Sequence, residues 1–185
     1  MWAALPRAAQ ARAALAVLVA TATSTGSEQR RDRSVAIARV FAAAIATALA
    51  VDAYVHFHDA HIYDAIVDSG LSQGTLFRIE GGVAVAVALA LVIWPRHATF
   101  ATAFLVLASA FGAVMLYRYV NVGPIGPLPN MYEPTWVAPG KLTSVWVEGL
   151  GALGCLAAVA TLAWARRRTR ATGTLAERTE SVRSS

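Results

Sequence analysis

The chain has 185 residues, 57% of them hydrophobic, and a formal net charge of +5. With a mean hydropathy of +0.52, this composition excludes an ordinary soluble domain that hides one apolar core under a polar surface. The basic residues cluster beside apolar runs, where they would meet anionic lipid headgroups, so we predict no nucleic-acid partner.

Residues 1–33 form a leader rich in Ala and Arg. Arg7 and Arg12 precede an apolar stretch at 13–22, and small polar residues follow, which is the pattern of a secretory signal. Cleavage there would leave the arginines at 30–33 outside, against the positive-inside rule. We therefore favour a cytoplasmic leader or an interfacial helix, with a cleaved signal as the alternative.

Four apolar runs predict transmembrane helices, at about 35–57, 76–94, 98–120 and 142–165. A helix needs about 20 mostly apolar residues to cross the hydrocarbon, and each run reaches that length. Backbone groups in lipid must be satisfied within the segment, and no alternation with period two suggests a barrel. Pro95 ends the second run, so runs two and three should form a tight hairpin. The sequence predicts an all-α, antiparallel four-helix transmembrane bundle over residues 34–166.

The distribution of arginines predicts the orientation of this bundle. Arginines at 30–33, Arg96 and the arginines at 166–170 all lie on one predicted side of the membrane. This is the positive-inside pattern, so we expect a multi-pass protein of the cell membrane with cytoplasmic N- and C-termini. The tail at 167–185 is basic and polar, and we predict that it is disordered. The loop at 121–141 holds five prolines, and we predict an ordered cap that meets the end of span one.

Ionisable residues lie inside or at the ends of the runs, toward the predicted outer side, and they are Asp52, His56, Arg78, Glu80, Arg118 and Glu148. A charge in hydrocarbon is costly unless it is paired or wetted. This polar layer is therefore either a set of ion pairs that holds the helices in register or a ligand-binding pocket open to the outer face. Because spans three and four are consecutive, we expect Arg118 to pair with Glu148.

Three histidines near the end of span one, His56, His58 and His61, form a candidate transition-metal site that Asp52 or Asp59 could complete. Residues two apart point about 200° apart on a helix, so the three converge only if the helix breaks near residue 57. No nucleotide loop, Ser–His–Asp arrangement, HExxH or CxxC motif occurs in the sequence, so we name no catalytic residue.

Three stretches carry a resemblance to a known group: YVHFHDAHIYD at 54–64, LFRIEGG at 76–82 and VWVEGLG at 145–151. Their order resembles small, uncharacterised four-helix membrane proteins of actinobacteria, and the architecture is similar to the DoxX-like family. The resemblance covers roughly residues 35–166. It implies a four-helix bundle with an outward-facing polar pocket and no assigned reaction.

We therefore expect an accessory or small-ligand-binding membrane component that has an outward-facing polar pocket and no catalysis of its own. The alternative is a redox component that binds a metal or a quinone through the histidines, with a transition metal as its cofactor. The expected partners are the lipid bilayer and either another membrane protein or a second copy of this chain.

Overall fold

The computed structural model describes residues 7–67 and 70–184, and this part of the chain is helical apart from its connections. Helix α1 is followed by a short 3-10 helix and then by helices α2, α3 and α4. In chain order these elements are Arg7–Asp59, Ala60–Tyr63, Gln73–Ile93, His97–Tyr119 and Lys141–Ser184. The only bridge of β type in the described residues is an isolated one between Ile125 and Leu128. The all-α prediction is confirmed.

Each of the four helices contains a segment that is long and apolar enough to cross a membrane, and these segments are Arg31–Tyr63, Gln73–Ile93, His97–Tyr119 and Lys141–Arg168. Their outer faces are apolar as well. Leu89, Leu105 and Leu153 remain 58%, 65% and 63% exposed on three different helices. An apolar surface of this extent is unusual in a soluble monomer but matches contact with lipid tails. The structure thus confirms four helices that are long and apolar enough to span a membrane.

The chain divides into two compact units, Met1–Ile37 and Ala38–Ser185. In the first unit the described residues form the N-terminal part of α1, from Arg7 onward. The second unit has a small core to which all four helices contribute, and its largest fully buried apolar side chains are Leu49, Leu91, Phe100 and Leu107. Lipid tails are as apolar as these side chains, so close packing rather than water exclusion holds such helices together.

Gly151 of α4 allows close packing of this kind. A Cβ atom at this position would lie 2.8 Å from Leu107 Cδ1 of α3 and 3.3 Å from Ala48 Cβ of α1. One turn later, Gly154 lies against Ile45 of α1. A glycine lets three helices meet here without displacing the Leu107 side chain, and this contact helps to position the preceding turn of α4.

The helix ends follow from local chemistry. The Ser72 hydroxyl accepts a hydrogen bond of 3.0 Å from the Thr75 N–H and so caps α2. Helix α2 ends at Ile93, just before Pro95, which lacks the N–H that a further turn would need. Helix α3 then begins at His97, so the short connection predicted between spans two and three is present.

Residues 120–140, which we call the cap, contain no helix but are held by hydrogen bonds to the helix ends. The Glu133 N–H donates to Tyr117 O over 3.1 Å, and the Gln73 side-chain amide donates to Asn130 O over 2.6 Å. The Leu71 N–H also donates to a cap carbonyl. The prediction of an ordered loop is therefore confirmed.

The C-terminal tail differs from our expectation of disorder. Helix α4 continues through it to Ser184. No proline follows Pro139, and five of the tail's residues are Arg, which is a good helix former. Helix α1 likewise includes the predicted leader from Arg7 onward, while residues 1–6 of that leader lie outside the described residues.

Candidate functional site

A cavity of about 190 Å³ lies under the cap, where α1 and α3 end and α2 and α4 begin. Its walls are largely apolar and include Val55, Phe77 and Val114. Its polar lining includes His56, Asp59, Glu80, Glu133, Lys141 and Glu148. Pockets for drug-sized ligands measure about 300–1,000 Å³, so this cavity suits a hydrated ion or a very small molecule.

Asp52 of α1 and Glu148 of α4 form the floor of the site. Both side chains are 0% exposed. None of their four carboxylate oxygens has a hydrogen-bond partner among the protein atoms that the structure describes. Buried polar atoms nearly always have partners in proteins, and an unsatisfied pair of carboxylates marks a place that an ion, a proton or water must fill.

His56 lies one turn after Asp52 and joins the same group. Its Nδ1 atom is 2.9 Å from the backbone oxygen of Asp52 and 3.2 Å from Asp52 Oδ1. The first contact is a hydrogen bond, whereas the second is close enough for electrostatic attraction but not aligned as a hydrogen bond. The edge of the imidazole packs against Phe77, with ring centroids 5.2 Å apart. His56 is therefore held between the floor and the wall of the cavity.

These three residues have the arrangement of a metal-binding group. One nitrogen or oxygen atom from each of Asp52, His56 and Glu148 lies within 4.8 Å of the other two. In the described part of the chain, no other set of three or more His, Cys, Asp or Glu residues comes so close together. Asp52 and His56 lie one turn apart on α1, and Glu148 comes from α4.

The predicted set of three histidines is not assembled, so that part of the metal hypothesis is wrong. His58 is exposed and stacks on Tyr54, with ring centroids 5.4 Å apart. His61 is also exposed, and its Nδ1 lies 2.8 Å from the His58 carbonyl oxygen. Because α1 continues unbroken to Asp59, His56 and His58 point to different sides of the helix.

The predicted pair of Arg118 and Glu148 is wrong as well. The Arg118 guanidinium lies 5.2 Å from the ring centroids of both Tyr119 and Trp136. No ion pair between Arg118 and an acid occurs within residues 7–67 and 70–184. Arg118 is at the end of α3, where Trp136 of the cap covers it, whereas Glu148 lies about two turns inside α4.

Arg78 lies outside the buried group. Its Nη1 and Nη2 atoms donate to Asp64 Oδ1 and Oδ2 over 2.6 and 2.8 Å, and the two side chains are 46% and 45% exposed. The hydrogen bonds from Arg78 hold the pKa of the Asp64 carboxyl below its usual range. Glu80, by contrast, is half-buried on the cavity wall and so keeps its predicted place.

Asp59, which we named as a residue that could complete the histidine site, is only 3% exposed and lines the cavity. Two other site residues were not predicted. Glu133 and Lys141 come from the cap and the first turn of α4, where no periodicity points to them. The Lys141 ammonium donates to the Glu133 backbone oxygen. A hydrogen bond from the Thr135 hydroxyl lowers the pKa of the Glu133 carboxyl.

Acidic groups thus dominate the site. Carboxylates line the cavity from α1, α2, α4 and the cap, and Asp52 lies beneath them, while Lys141 supplies the cavity's one lysine or arginine among the lining residues. This excess of negative charge favours a cationic ligand over an anionic one.

The chain matches no protein-family model, no curated protein and no solved structure. The similarity to the DoxX-like family therefore stays a prediction. Any function must be inferred from the geometry of the cavity and its carboxylates.

Proposed function

We propose that this chain is a multi-pass protein of the cell membrane that binds a small cation in the cavity under the cap, without catalysis of its own. The observation that carries this proposal is the pair of buried carboxylates, Asp52 and Glu148, whose four oxygens accept no hydrogen bond from the described protein residues. Two neighbouring carboxylates cannot both stay ionised in a low dielectric unless a positive charge compensates them. A bound cation supplies that charge.

The proposed topology is antiparallel, with both termini cytoplasmic and the cavity facing outward. Ala48 lies against Gly151 and Ile45 lies against Gly154, which supports opposite directions for α1 and α4. The cavity is lined by residues near the C-terminal ends of α1 and α3 and near the N-terminal ends of α2 and α4. The arginine-rich segments flank the opposite helix ends, which supports an outward-facing cavity under the positive-inside rule.

The alternative, a redox component that binds a metal or a quinone through the histidines, has less support. It relied on His58 and His61, which are exposed and do not line the cavity. His56 alone of the three remains at the site. Association with another membrane protein or with a second copy of the chain stays a prediction.

Cation binding can be tested by thermal unfolding of the full chain in lipid nanodiscs, after treatment with a chelator. We expect at least one of Mg²⁺, Ca²⁺, Zn²⁺ and methylammonium to raise the Tm of the wild type but not that of Glu148→Gln. At a ligand concentration 100 times Kd, binding stabilises by about 2.7 kcal/mol. That corresponds to a rise of about 5–11 °C for a chain of this size.

Glu28→Gln serves as the matched control, because Glu28 is exposed and does not line the cavity. It should respond to each cation as the wild type does. If none of the four cations separates the wild type from Glu148→Gln, the proposed function is wrong.

The topology can be tested by labelling single cysteines on intact cells with a membrane-impermeant maleimide. The background is Cys155→Ala, which removes the buried native thiol. Val137→Cys in the cap, where Val137 is 89% exposed, should react from outside. Arg167→Cys, beyond the apolar part of α4, should react only after permeabilisation. The reverse pattern would refute an outward-facing cavity.

A further inference from the structure

We infer that the floor of the cavity is a binding site for one divalent transition-metal ion, held by Asp52, His56 and Glu148. This inference rests on the proposed function and names the class of cation that the cavity takes. Three observations support it: the spacing of the ligand atoms, the negative charge of the two acids, and the binding of the nearby lysine and arginine to other groups.

The spacing of the ligand atoms suits a single ion. Zinc binds nitrogen and oxygen ligands at about 2.0–2.2 Å, so two ligand atoms of a tetrahedral site lie about 3.3–3.6 Å apart. His56 Nδ1 and Asp52 Oδ1 are already 3.2 Å apart, and a metal bound through this nitrogen would replace its proton and its hydrogen bond to the Asp52 backbone oxygen. The remaining pairs lie within 4.8 Å, so Glu148 must approach by at most about 1.5 Å to complete the site, a small side-chain movement.

The charge of the floor favours a divalent ion. Asp52 and Glu148 together carry two negative charges when ionised, which a divalent ion neutralises and a monovalent ion does not. The nearby lysine and arginine are engaged elsewhere. Lys141 donates to the Glu133 backbone, and Arg118 lies against Tyr119 and Trp136. No lysine or arginine in the described structure therefore pairs with the two buried acids.

The ligand types select the class of metal. Two carboxylate oxygens and one imidazole nitrogen suit Zn²⁺, Mn²⁺ or Fe²⁺, whereas Ca²⁺ and Mg²⁺ prefer oxygen ligands alone. Copper(I) prefers thiolate, and Cys155 lies two turns further along α4. Glu80 lines the same cavity and interacts electrostatically with Asp52, His56 and Glu148.

The site can be tested by calorimetric titration of the metal-stripped full chain in nanodiscs with Zn²⁺, together with the visible spectrum of the Co²⁺ form. We expect one Zn²⁺ per chain. Loss of an outer partner of a metal site already costs about 10–100-fold in affinity, so Glu148→Gln, Asp52→Asn and His56→Gln should each weaken binding by at least about 100-fold. His56→Gln should also change the Co²⁺ spectrum, because it removes the nitrogen ligand.

The matched control is the double variant His58→Gln, His61→Gln, which removes two exposed imidazoles and leaves the floor intact. It should bind Zn²⁺ as the wild type does. The elution volume and metal-free Tm of each variant establish that it is folded. Loss of Zn²⁺ binding in this control alone, or no stoichiometric Zn²⁺ in the wild type, overturns the inference.

The outcomes also separate this inference from the function on which it rests. If Zn²⁺ does not bind but Ca²⁺ or methylammonium stabilises the wild type and not Glu148→Gln, the metal site is refuted and cation binding stands. If no cation distinguishes these two proteins, both conclusions are wrong.

Discussion

Replacing Glu148 with Gln should have opposite consequences in the absence and in the presence of metal. In the metal-free protein the change removes one of two neighbouring buried carboxylates, the one to which no described residue donates a hydrogen bond or an ion pair, while keeping nearly the same shape. A buried polar group without a partner costs about 1–3 kcal/mol, and a charged one costs more. We therefore expect metal-free Glu148→Gln to be more stable than the wild type by about 1–3 kcal/mol, or roughly 2–12 °C in Tm.

With Zn²⁺ at 100 times the wild-type Kd, the wild type gains about 2.7 kcal/mol. A variant that binds 100-fold more weakly is then half saturated and gains only about 0.4 kcal/mol. The difference in stability between the two proteins should thus move by about 2.3 kcal/mol in favour of the wild type, or about 5–9 °C. The two proteins should have nearly equal Tm values or exchange their order.

The measurement is thermal unfolding of both proteins in nanodiscs at neutral pH, with chelator and with saturating Zn²⁺, and with Glu28→Gln as the control. The control should follow the wild type under both conditions. If Glu148→Gln is less stable than the wild type without metal, the Glu148 carboxylate has a favourable partner and is not an unsatisfied group. If Zn²⁺ leaves the difference between the two proteins unchanged, Glu148 does not bind the ion.

Three further predictions concern the packing and the ion pair outside the cavity. Leu107→Ala, at a fully buried position, should destabilise the protein by about 2–5 kcal/mol in thermal unfolding, whereas Leu105→Ala on the lipid-facing side of α3 should change it little. Gly140→Ala should lower the Tm more than Gly126→Ala does. Both glycines have positive φ, +68° and +57°, but only a Cβ at Gly140 would collide with α1. Equal losses in Tm would contradict that contact. Arg78 lowers the pKa of the Asp64 carboxyl. The ion pair therefore stabilises the folded protein above the ordinary carboxyl pKa of about 3.9, and this stabilisation is lost as pH falls through the lowered pKa. An NMR titration of this carboxyl should show its midpoint rising when the arginine is replaced by Gln, and an unchanged midpoint would exclude the pairing.

The local part of the candidate site could be predicted from the sequence. Asp52 and His56 are four residues apart, so they share a face of any helix that contains them. Glu148 could be recognised as an acid inside an apolar run. Its partners could not, because they depend on how α4 is rotated about its axis, which the contacts of Gly151 and Gly154 with α1 establish.

The two wrong predictions have related physical causes. The histidine site required a break in α1, but helical hydrogen bonds continue to Asp59 and hold His58 on another side. The pair of Arg118 and Glu148 assumed that consecutive helices bring their nearest opposite charges together. A cap residue intervened instead, because Trp136 offers the guanidinium an aromatic face at the end of α3.

The sequence by itself determined the helical class, the four membrane spans, the short connection at Pro95 and the end of the bundle at which the polar residues gather. Those features depend on apolar length and on residue spacing, which are local properties of the chain. Only the tertiary structure decided that Asp52, His56 and Glu148 share one floor, that Arg78 and Arg118 are engaged elsewhere, and that Glu133 and Lys141 line the cavity. These groupings join residues that are distant in the sequence, and they follow from the rotation of each helix and the path of a proline-rich loop, for which no periodic pattern exists.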